Sequence, residues 1–296
     1  MNDKTELGFI GLGVMGEPIC RNMTRAGLGP MTVFDLNRDP VARLQALGAQ
    51  EAGSPGELSR EADIIFLSLP GGREVEEIIL GDNGLMANGR AGQIIVDMST
   101  CPVAVARRAA ARLEGRGMIF ADAPVARTRQ AARDGTLSIM VGADDETYHR
   151  LHPILSAAAT DITHCGGVGA GQTVKLLNNM VLIQSVVALA EAFVIAERAG
   201  VSRYVLADAL AKGSADSFAL RNHGQKAMLP GNFPTGAFAA DYAHKDLTYA
   251  LELAADCGVT SPAGELAKSL LERTRDAGYG EQYFPVLMKL VKEQPQ

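Results

Sequence analysis

At residues 7–16 the chain reads Leu7-Gly8-Phe9-Ile10-Gly11-Leu12-Gly13-Val14-Met15-Gly16. The first four of these residues are an apolar run that predicts a buried strand, and the glycine pattern follows at once, before a helical pattern begins. In this order of strand, turn and helix, Gly11 allows a tight turn, Gly13 lets the backbone approach a pyrophosphate, and Gly16 lets helix and strand pack closely. The pattern therefore predicts a dinucleotide-binding turn, with an ordinary glycine-rich loop as the alternative.

A carboxylate follows the next apolar run. Asp35 comes directly after Met31–Phe34, within a residue or two of the place where a ribose-binding acid follows such a turn. A carboxylate accepts hydrogen bonds from ribose hydroxyls and repels a 2′-phosphate, so NAD(H) is preferred over NADP(H). Arg38 offers the opposite preference, because its guanidinium could stack on adenine or meet a 2′-phosphate.

The composition is that of a globular protein large enough for two domains. The chain has 296 residues, 47% of them hydrophobic and 21% charged, with a net charge of −6. Lysines and arginines form no cluster interleaved with aromatic residues, so nucleic acid and anionic membrane surfaces are not expected as partners. The four cysteines are widely spaced and form no CxxC pair. This argues against a metal site and a disulfide framework, and it predicts reduced thiols.

The sequence favours a cytoplasmic location. Its polar start, Met1–Glu6, leads into the first predicted strand, so no signal peptide is expected. The most apolar stretch, Met180–Ile195, is interrupted by polar residues and is expected to be too short to span a bilayer.

Four further apolar runs predict strands, and the first of them is typical of a strand buried on both faces of a parallel sheet. They are Ile64–Leu69, Ile94–Met98, Met118–Ala121 and Leu137–Val141, and helical patterns complete an α/β Rossmann domain. In open α/β sheets ligands bind beyond the carboxyl ends of the strands. Leu69-Pro70, Ser99-Thr100 and residues 122–125 lie at such ends and are expected to line the cofactor cleft, although each alone would be an ordinary turn.

The pattern changes near residue 165. Gly166–Gly171 predicts a flexible joint, and only helical periods follow it, so we predict a Rossmann domain at 1–165 and an all-α domain at 166–296. One long helix is predicted from Gln172 to about Ala199. It is apolar nearly all round at its centre, which implies that other helices or a second subunit enclose it.

Three polar residues stand out in this long helix. Lys175, Asn178 and Asn179 are spaced by three and four residues and therefore share one face. A lone lysine is most often a snorkelling surface residue. Two asparagines beside it instead indicate a site, in which a desolvated amine can exchange a proton and the amides fix a small polar substrate. Lys245 and Asp246 begin a later helix, where they either face the cleft or are solvated charges.

These motifs resemble those of the β-hydroxyacid dehydrogenase family, which includes 3-hydroxyisobutyrate dehydrogenases and tartronate semialdehyde reductases. The resemblance covers nearly the whole chain. Its four motifs, in order, are Gly8–Gly16, Asp122-Ala123-Pro124-Val125, Gly169-Ala170-Gly171-Gln172-Thr173-Val174-Lys175-Leu176-Leu177-Asn178-Asn179 and Lys245-Asp246-Leu247.

The resemblance implies a Rossmann domain and an all-α domain joined by the long helix, with substrate in the cleft and a homodimer or homotetramer formed through the helical domain. Lys175 matches the family's catalytic lysine, and Asn179 matches its substrate-orienting asparagine. Ser99 and Thr100 match a strand-end pair, and Lys245 matches a residue that approaches the nicotinamide or the substrate.

One loop departs from the family pattern. Most of the family continues Asp-x-Pro-Val with Ser-Gly-Gly, which holds a substrate carboxylate, whereas this chain has Ala126-Arg127-Thr128. A planar guanidinium provides paired donors to an oxyanion. The loop resembles that of sulfolactaldehyde reductases, in which such an arginine meets a sulfonate, so a strongly anionic substrate is expected. The alternative is a solvent-exposed arginine, since Arg129 and Arg133 lie close by.

The sequence therefore predicts an NAD(H)-dependent oxidoreductase of a small anionic hydroxy acid or semialdehyde, with sulfolactaldehyde reduction as one specific form. Two alternatives come from other classes: an imine reductase, which resembles this family but usually lacks the lysine, and a non-enzymatic NAD-sensing protein. The assigned residues are Lys175 and Asn179 for catalysis; Ser99, Arg127, Thr128, Asn178 and Asp246 for the substrate; and Gly11, Leu12, Gly13, Val14, Met15, Gly16, Asp35, Asn37, Arg38, Leu69, Pro70, Thr100 and Lys245 for the cofactor.

Overall fold

The computed structural model describes residues 5–293, and the chain divides into two compact units between Lys175 and Leu176. Residues 1–4, most of the expected polar start, lie outside the described residues. The strands of the first unit are β1 (Leu7–Ile10), β2 (Met31–Phe34), β3 (Gln50–Glu51), β4 (Ile64–Leu67), β5 (Ile94–Asp97), β6 (Ile119–Asp122), β7 (Val125–Ala126), β8 (Leu137–Gly142) and β9 (Ala159–Gly166). The boundary predicted at 165/166 remains a proposal.

The strands form one sheet in the order β3-β2-β1-β4-β5-β6-β8-β7, with β9 paired to β8. Strands β1 to β6 are parallel to one another, whereas β8 is antiparallel to both β6 and β7. From β1 the chain builds outward through β2 and β3, and it then returns to place β4 on the other side of β1. This reversal makes the carboxyl ends of β1 and β4 the topological switch point, where open α/β sheets bind their ligands.

Helices cover both faces of the sheet and connect its strands. They are α1 (Gly16–Arg25), α2 (Arg38–Gln45), α3 (Pro55–Glu61), α4 (Gly72–Leu80), α5 (Leu85–Asn88), α6 (Val103–Glu114), α7 (Arg129–Asp134) and α8 (Asp145–Leu155). Local sequence sets several of their starts. Ser54, for example, caps α3 by accepting the Glu57 amide at 3.1 Å, and a proline follows at the first helical position.

The apolar strands are buried on both faces because alternate side chains enter two different cores. Phe9 and Phe66 point to one face, where their ring centroids are 6.1 Å apart. Ile65 and Ile95 point to the opposite face, against α3, α4 and α6. A continuous apolar run is therefore required in β1, β4 and β5, and this confirms the prediction of a doubly covered parallel sheet.

Three strands were not predicted. β3 and β7 have two residues each, too few to give a periodic signal. β9 is longer but largely polar and exposed, and it extends the sheet beside β8 with two register shifts. Its pairing depends on backbone hydrogen bonds to β8 rather than on an apolar face, so the hydrophobic pattern does not reveal it.

The second unit is helical. Its elements are the later part of α9 (Ala170–Arg198), α10 (Arg203–Lys212), a π-helical segment (Leu220–Met228), α11 (Ala240–Asp256), α12 (Pro262–Thr274), a π-helical turn (Arg275–Tyr279), a 3₁₀ turn (Phe284–Leu287) and α13 (Met288–Lys292). They pack around a core that includes Phe193, Leu220, Leu247 and Phe284. The prediction of an all-α second part is confirmed; its β-type pairing is limited, among the described residues, to two isolated bridges.

Helix α9 is close to the predicted long helix. By length and composition alone it is able to cross a membrane, contrary to the expectation from the shorter stretch Met180–Ile195. Half of its most apolar window is buried within the protein, however, and the core helix of a globular protein passes the same test.

Candidate active site

In the glycine turn between β1 and α1, two of the three glycines have no room for a side chain, and the third does. A Cβ on Gly11 would lie 2.3 Å from the Ser68 carbonyl oxygen, and its φ of 90° favours glycine. A Cβ on Gly16 would lie 1.9 Å from the Gly11 carbonyl oxygen. Around Gly13, in contrast, nothing lies within 4 Å of the added atom. The first and third glycines are thus required by the fold, whereas no protein atom requires glycine at position 13.

Asp35 links the end of β2 to this turn. One carboxylate oxygen accepts the Leu12 amide at 2.5 Å, and the other accepts the Asn37 amide at 2.7 Å. Asn37 in turn caps α2 by accepting the Asp39 amide at 3.0 Å. Since a carboxylate has about four acceptor positions, the two bonds leave Asp35 capacity for ribose hydroxyls.

Arg38 has an acidic partner within the protein. Its guanidinium forms an ion pair with Glu51 on β3, with nitrogen and oxygen 2.5 Å apart, and most of the side chain is exposed. The Glu51 carboxylate thus pairs with the Arg38 guanidinium, whose positive charge would otherwise favour the binding of a 2′-phosphate.

The predicted strand-end residues of β4 and β5 lie together. The Ser99 hydroxyl accepts the Leu69 amide at 2.9 Å, and the Ser99 amide donates to the Asp97 carboxylate at 2.9 Å. Ser99 is buried, whereas Pro70 and Thr100, the next residue in each loop, are more accessible. The loops that follow two adjacent parallel strands are therefore held in a fixed relation beside the switch point.

Asp122, at the end of β6, does not line a cleft as the sequence suggested. It is fully buried, and its two carboxylate oxygens accept the backbone amides of Gly169 at 2.6 Å and Gln172 at 2.7 Å. Burial raises the pKa of Asp122 from 3.8 to about 6, although these amide bonds oppose the change. Glycine is required opposite this carboxylate, because a Cβ on Gly142 would lie 2.4 Å from one oxygen.

The loop after β7 places Arg127 against β9. Its guanidinium donates to the Thr136 carbonyl at 2.7 Å, to the Thr160 hydroxyl at 2.9 Å, and to the Asp161 carboxylate at 2.6 Å. The hydrogen bond from the Thr160 hydroxyl, together with the Arg127 guanidinium, holds the pKa of Asp161 below its usual range. Arg127 is also the one non-glycine residue with positive φ in the part of the chain that the structure describes. Thr128 caps α7 by accepting the Ala131 amide at 3.3 Å.

Lys175 lies in the second turn of α9 and is 8% exposed. It is thus a buried basic side chain, unlike the surface lysine that is the usual occupant of such a position. Helical spacing places Asn178 and Asn179 on the same face of α9 as this lysine.

Asn179 belongs to a polar cluster of the second unit. Its side-chain nitrogen donates to the Asp246 carboxylate at 2.7 Å, and its side-chain oxygen accepts a hydrogen bond from the side-chain nitrogen of Asn178 at 3.1 Å. Asn179 and Asp246 are 3% and 4% exposed, so a buried carboxylate fixes the rotamer of this amide. Lys245 Nζ lies 3.3 Å from the second Asp246 oxygen.

Four residues that were not predicted from the sequence contact predicted site residues. Gln172 contacts Ser99, Asp161 contacts Arg127, and Tyr242 and Tyr249 contact Lys245. The two tyrosine rings flank Lys245, each with its centroid 5.5 Å from Nζ, within the range of a cation–π contact. Their positions three residues before and four residues after Lys245 on α11 are a helical signal that was available. Among residues 5–293, no group of three or more His, Cys, Asp or Glu side chains could hold a metal ion.

Two family models of NAD-binding dehydrogenases match nearly the whole chain. Residues 6–167 match the model of the NAD binding domain of 6-phosphogluconate dehydrogenase, and residues 169–291 match that of the NAD-binding domain of NADP-dependent 3-hydroxyisobutyrate dehydrogenase. The chain belongs to the β-hydroxyacid dehydrogenase family. It is an NAD(H)-dependent oxidoreductase that acts on CH–OH groups, which confirms the predicted family, enzyme class and cofactor.

Members of this family resemble the chain over almost its full length. It is 35% identical to 2-(hydroxymethyl)glutarate dehydrogenase of Eubacterium barkeri, covering 98% of this chain and 96% of that protein. It is also 35% identical to NAD-dependent L-serine dehydrogenase of Pseudomonas aeruginosa, covering 96% and 97%. The solved structure of Mycobacterium tuberculosis 3-hydroxyisobutyrate dehydrogenase with L-serine superposes with a TM-score of 0.89 at 32% identity, covering 97% and 99%.

Proposed function

We propose that this family member interconverts a small anionic hydroxy acid and its carbonyl form, with Lys175 as the group that moves the proton. The observation that supports the assignment is the buried amine of Lys175, on the same face of α9 as two asparagines, one of them held by a buried carboxylate. A buried basic group beside fixed amides is suited to general acid–base chemistry on a hydroxyl.

In oxidation, Lys175 Nζ accepts the hydroxyl proton as the carbon–oxygen bond becomes a carbonyl, and in reduction it returns that proton. Asn179 orients the reacting oxygen through its amide, whose rotamer Asp246 fixes, and Asn178 completes the amide pair. Asp246 contributes to substrate binding in this indirect way. A correct orientation of reactants and base reduces the entropic part of the barrier.

Hydride transfer is the chemistry that NAD(H) would supply when bound. The open position at Gly13 fits a pyrophosphate, flanked by Leu12, Val14 and Met15, and the start of α1 supplies amide donors. Asp35 holds the ribose hydroxyls, with Asn37 and Arg38 at the rim of the same segment. Leu69, Pro70 and Thr100, at the strand ends, are assigned to the cofactor, and Ser99 is assigned to the substrate. Lys245 is assigned to the nicotinamide end of the cofactor.

The anionic end of the substrate is assigned to Arg127 and Thr128. The Arg127 guanidinium donates a hydrogen bond to the Asp161 carboxylate. Arg127 must therefore release Asp161 in order to bind the substrate. The relatives named above act, by their names, on a hydroxymethyl glutarate, on L-serine and on 3-hydroxyisobutyrate, which are all carboxylates. A carboxylate of about three to six carbons, the range of these substrates, is therefore the first choice, and a sulfonate such as sulfolactaldehyde is the second.

The remaining features of the proposal concern the protein as a whole. We expect a soluble cytoplasmic homodimer or homotetramer that binds neither nucleic acid nor membranes, in keeping with the net charge of −6.

The test is a turnover screen at the nicotinamide absorbance with carboxylate and sulfonate hydroxy acids, both cofactors, and wild-type and Lys175→Ala proteins. We expect turnover of at least one carboxylate with NAD. Lys175→Ala is expected to lower kcat by about 10²–10⁴-fold with unchanged NAD affinity. Normal turnover in Lys175→Ala, or activity restricted to cyclic imines, would contradict the assignment.

A further inference from the structure

Gln172 lies three residues before Lys175, in the first turn of α9, and it is fully buried. Its side-chain nitrogen donates to the Ser99 carbonyl at 2.8 Å, and its side-chain oxygen accepts the Cys101 amide at 3.2 Å. One side-chain amide therefore makes two hydrogen bonds to the backbone on either side of Thr100. This is the segment that follows β5 and is assigned to the cofactor.

The backbone of the same turn is held by a second strand end. The Asp122 carboxylate at the end of β6 accepts the Gly169 and Gln172 amides. The start of α9 is thus bonded to the ends of two adjacent parallel strands. The Gln172 side chain bonds to the backbone that follows β5, and the Asp122 carboxylate of β6 bonds to the backbone of the turn. The neighbouring Gly171 has no room for a side chain, since a Cβ there would lie 2.3 Å from the Met140 carbonyl oxygen and 2.8 Å from the Asp122 carboxylate.

The hydrogen bonds of Gln172 and Asp122 differ from ordinary capping of a helix N-terminus. Helix N-termini are usually capped by a nearby residue, whereas these partners come from 47 to 73 residues away in sequence. The bonds are short, buried and joined to rigid strand ends, so they fix the axial position and the rotation of the first turns of α9. Lys175 follows one turn later, and its position relative to the Ser99–Cys101 segment is set by them.

We infer that Gln172 and Asp122 are positioning residues that hold Lys175 in register with the cofactor-binding segment after β5. The inference rests on the proposed role of Lys175. A displacement of about 1 Å at a reacting group is enough to lower a rate by about 10²-fold, so such a support affects turnover more than binding.

The test is a double-mutant cycle between Gln172→Met, which keeps the side-chain volume but makes neither hydrogen bond, and Lys175→Ala. In the wild-type background we expect Gln172→Met to lower kcat by about 10–100-fold, with KM and the NAD dissociation constant within about twofold. In the Lys175→Ala background, with ethylamine supplied as an external base, the same change should alter kcat by less than about twofold, because a free amine does not depend on α9 for its position.

Thr173→Val is the matched control. Thr173 belongs to the same turn and also makes a 2.8 Å hydrogen bond, but only to the Gly169 carbonyl of its own segment. Its kcat should be within about twofold of wild type. If Gln172→Met does not fold, as judged by circular dichroism, Gln172→Asn keeps the amide but shortens its reach, and the same loss of kcat is expected.

The outcomes separate the two claims. Normal turnover in Lys175→Ala contradicts the proposed function, whatever Gln172 does. If Lys175→Ala is inactive but Gln172→Met lowers kcat equally in both backgrounds, acts only by weakening NAD binding, or has no effect, the positioning role is wrong.

Discussion

The turn Gly11–Gly16 and the loop Asp122–Thr128 both follow the carboxyl end of a strand, but they depend on the rest of the chain in different ways. Gly11 and Gly16 are required by the turn itself, Gly11 by its φ of 90° and Gly16 because a Cβ there would lie 1.9 Å from the Gly11 carbonyl oxygen. In the loop, Asp122 bonds to amides 47 and 50 residues away, and Arg127 pairs with Asp161 across 34 residues. A local requirement leaves a recognisable sequence pattern, whereas a distant partner does not.

The turn offers the largest expected effect, through two substitutions of the same kind. Gly16→Ala places a Cβ 1.9 Å from a backbone oxygen, so we expect a loss of at least about 3 kcal/mol of unfolding free energy and no NAD binding. Gly13→Ala meets no protein atom, so its stability should stay within about 0.5 kcal/mol of wild type. Its NAD dissociation constant should nevertheless rise about 10–100-fold, because the Cβ occupies the space left for phosphate.

Urea unfolding and NAD titration of both variants measure this contrast. If Gly13→Ala and Gly16→Ala change the unfolding free energy and the NAD dissociation constant equally, the claim that Gly13 serves the ligand and Gly16 serves the fold is wrong.

Asp122 offers the next effect, and its sign follows from burial. The carboxyl binds its proton more tightly in the folded protein, with a pKa of about 6, than in the unfolded chain near 3.8. Its contribution to stability is therefore complete below about pH 4 and is lost as the pH rises through 6. Relative to Asp122→Asn, wild type should lose roughly 2 kcal/mol of unfolding free energy between pH 4 and pH 7. Urea unfolding at several pH values checks this, and a difference that does not vary with pH would show that folding does not raise the pKa of Asp122.

The smallest effect distinguishes the two possible roles of Arg127. If Arg127 holds the substrate, Arg127→Ala should raise KM for the anionic substrate about tenfold. Asp161→Asn should lower that KM, because the competing carboxylate is removed. If Arg127 only joins its loop to β9, both variants should leave KM unchanged and lower the melting temperature. Steady-state kinetics and thermal melts of the two variants decide between these outcomes.

Prediction from sequence succeeded where one element supplies its own signal. The apolar runs of β1, β4 and β5 reflect burial on two faces, and the face of α9 that holds Lys175 and Asn179 follows from helical spacing alone. The helix bounds of α9 agree with the expected Gln172–Ala199 within about two residues.

Prediction failed where a polar group has a distant partner. Asp122 was expected in the cleft because it ends a strand, yet it is fully buried, and its carboxylate accepts the backbone amides of Gly169 and Gln172. Gln172 was visible in the sequence, but its role depends on the backbone of Ser99 and Cys101, which no local pattern reveals. The strand β9, which supplies Asp161, lacks an apolar face and gave no signal.

The central claim is that the buried amine of Lys175 moves the proton, and its most direct test is chemical rescue. Small primary amines of increasing basicity and similar volume are added to Lys175→Ala with NAD and a hydroxy acid that wild type oxidises. We expect kcat to rise with amine concentration, to saturate, and to depend on amine basicity, while wild type is unaffected. A Lys175→Ala protein that binds NAD normally but is not rescued by any amine, or that never lost its turnover, would contradict the account.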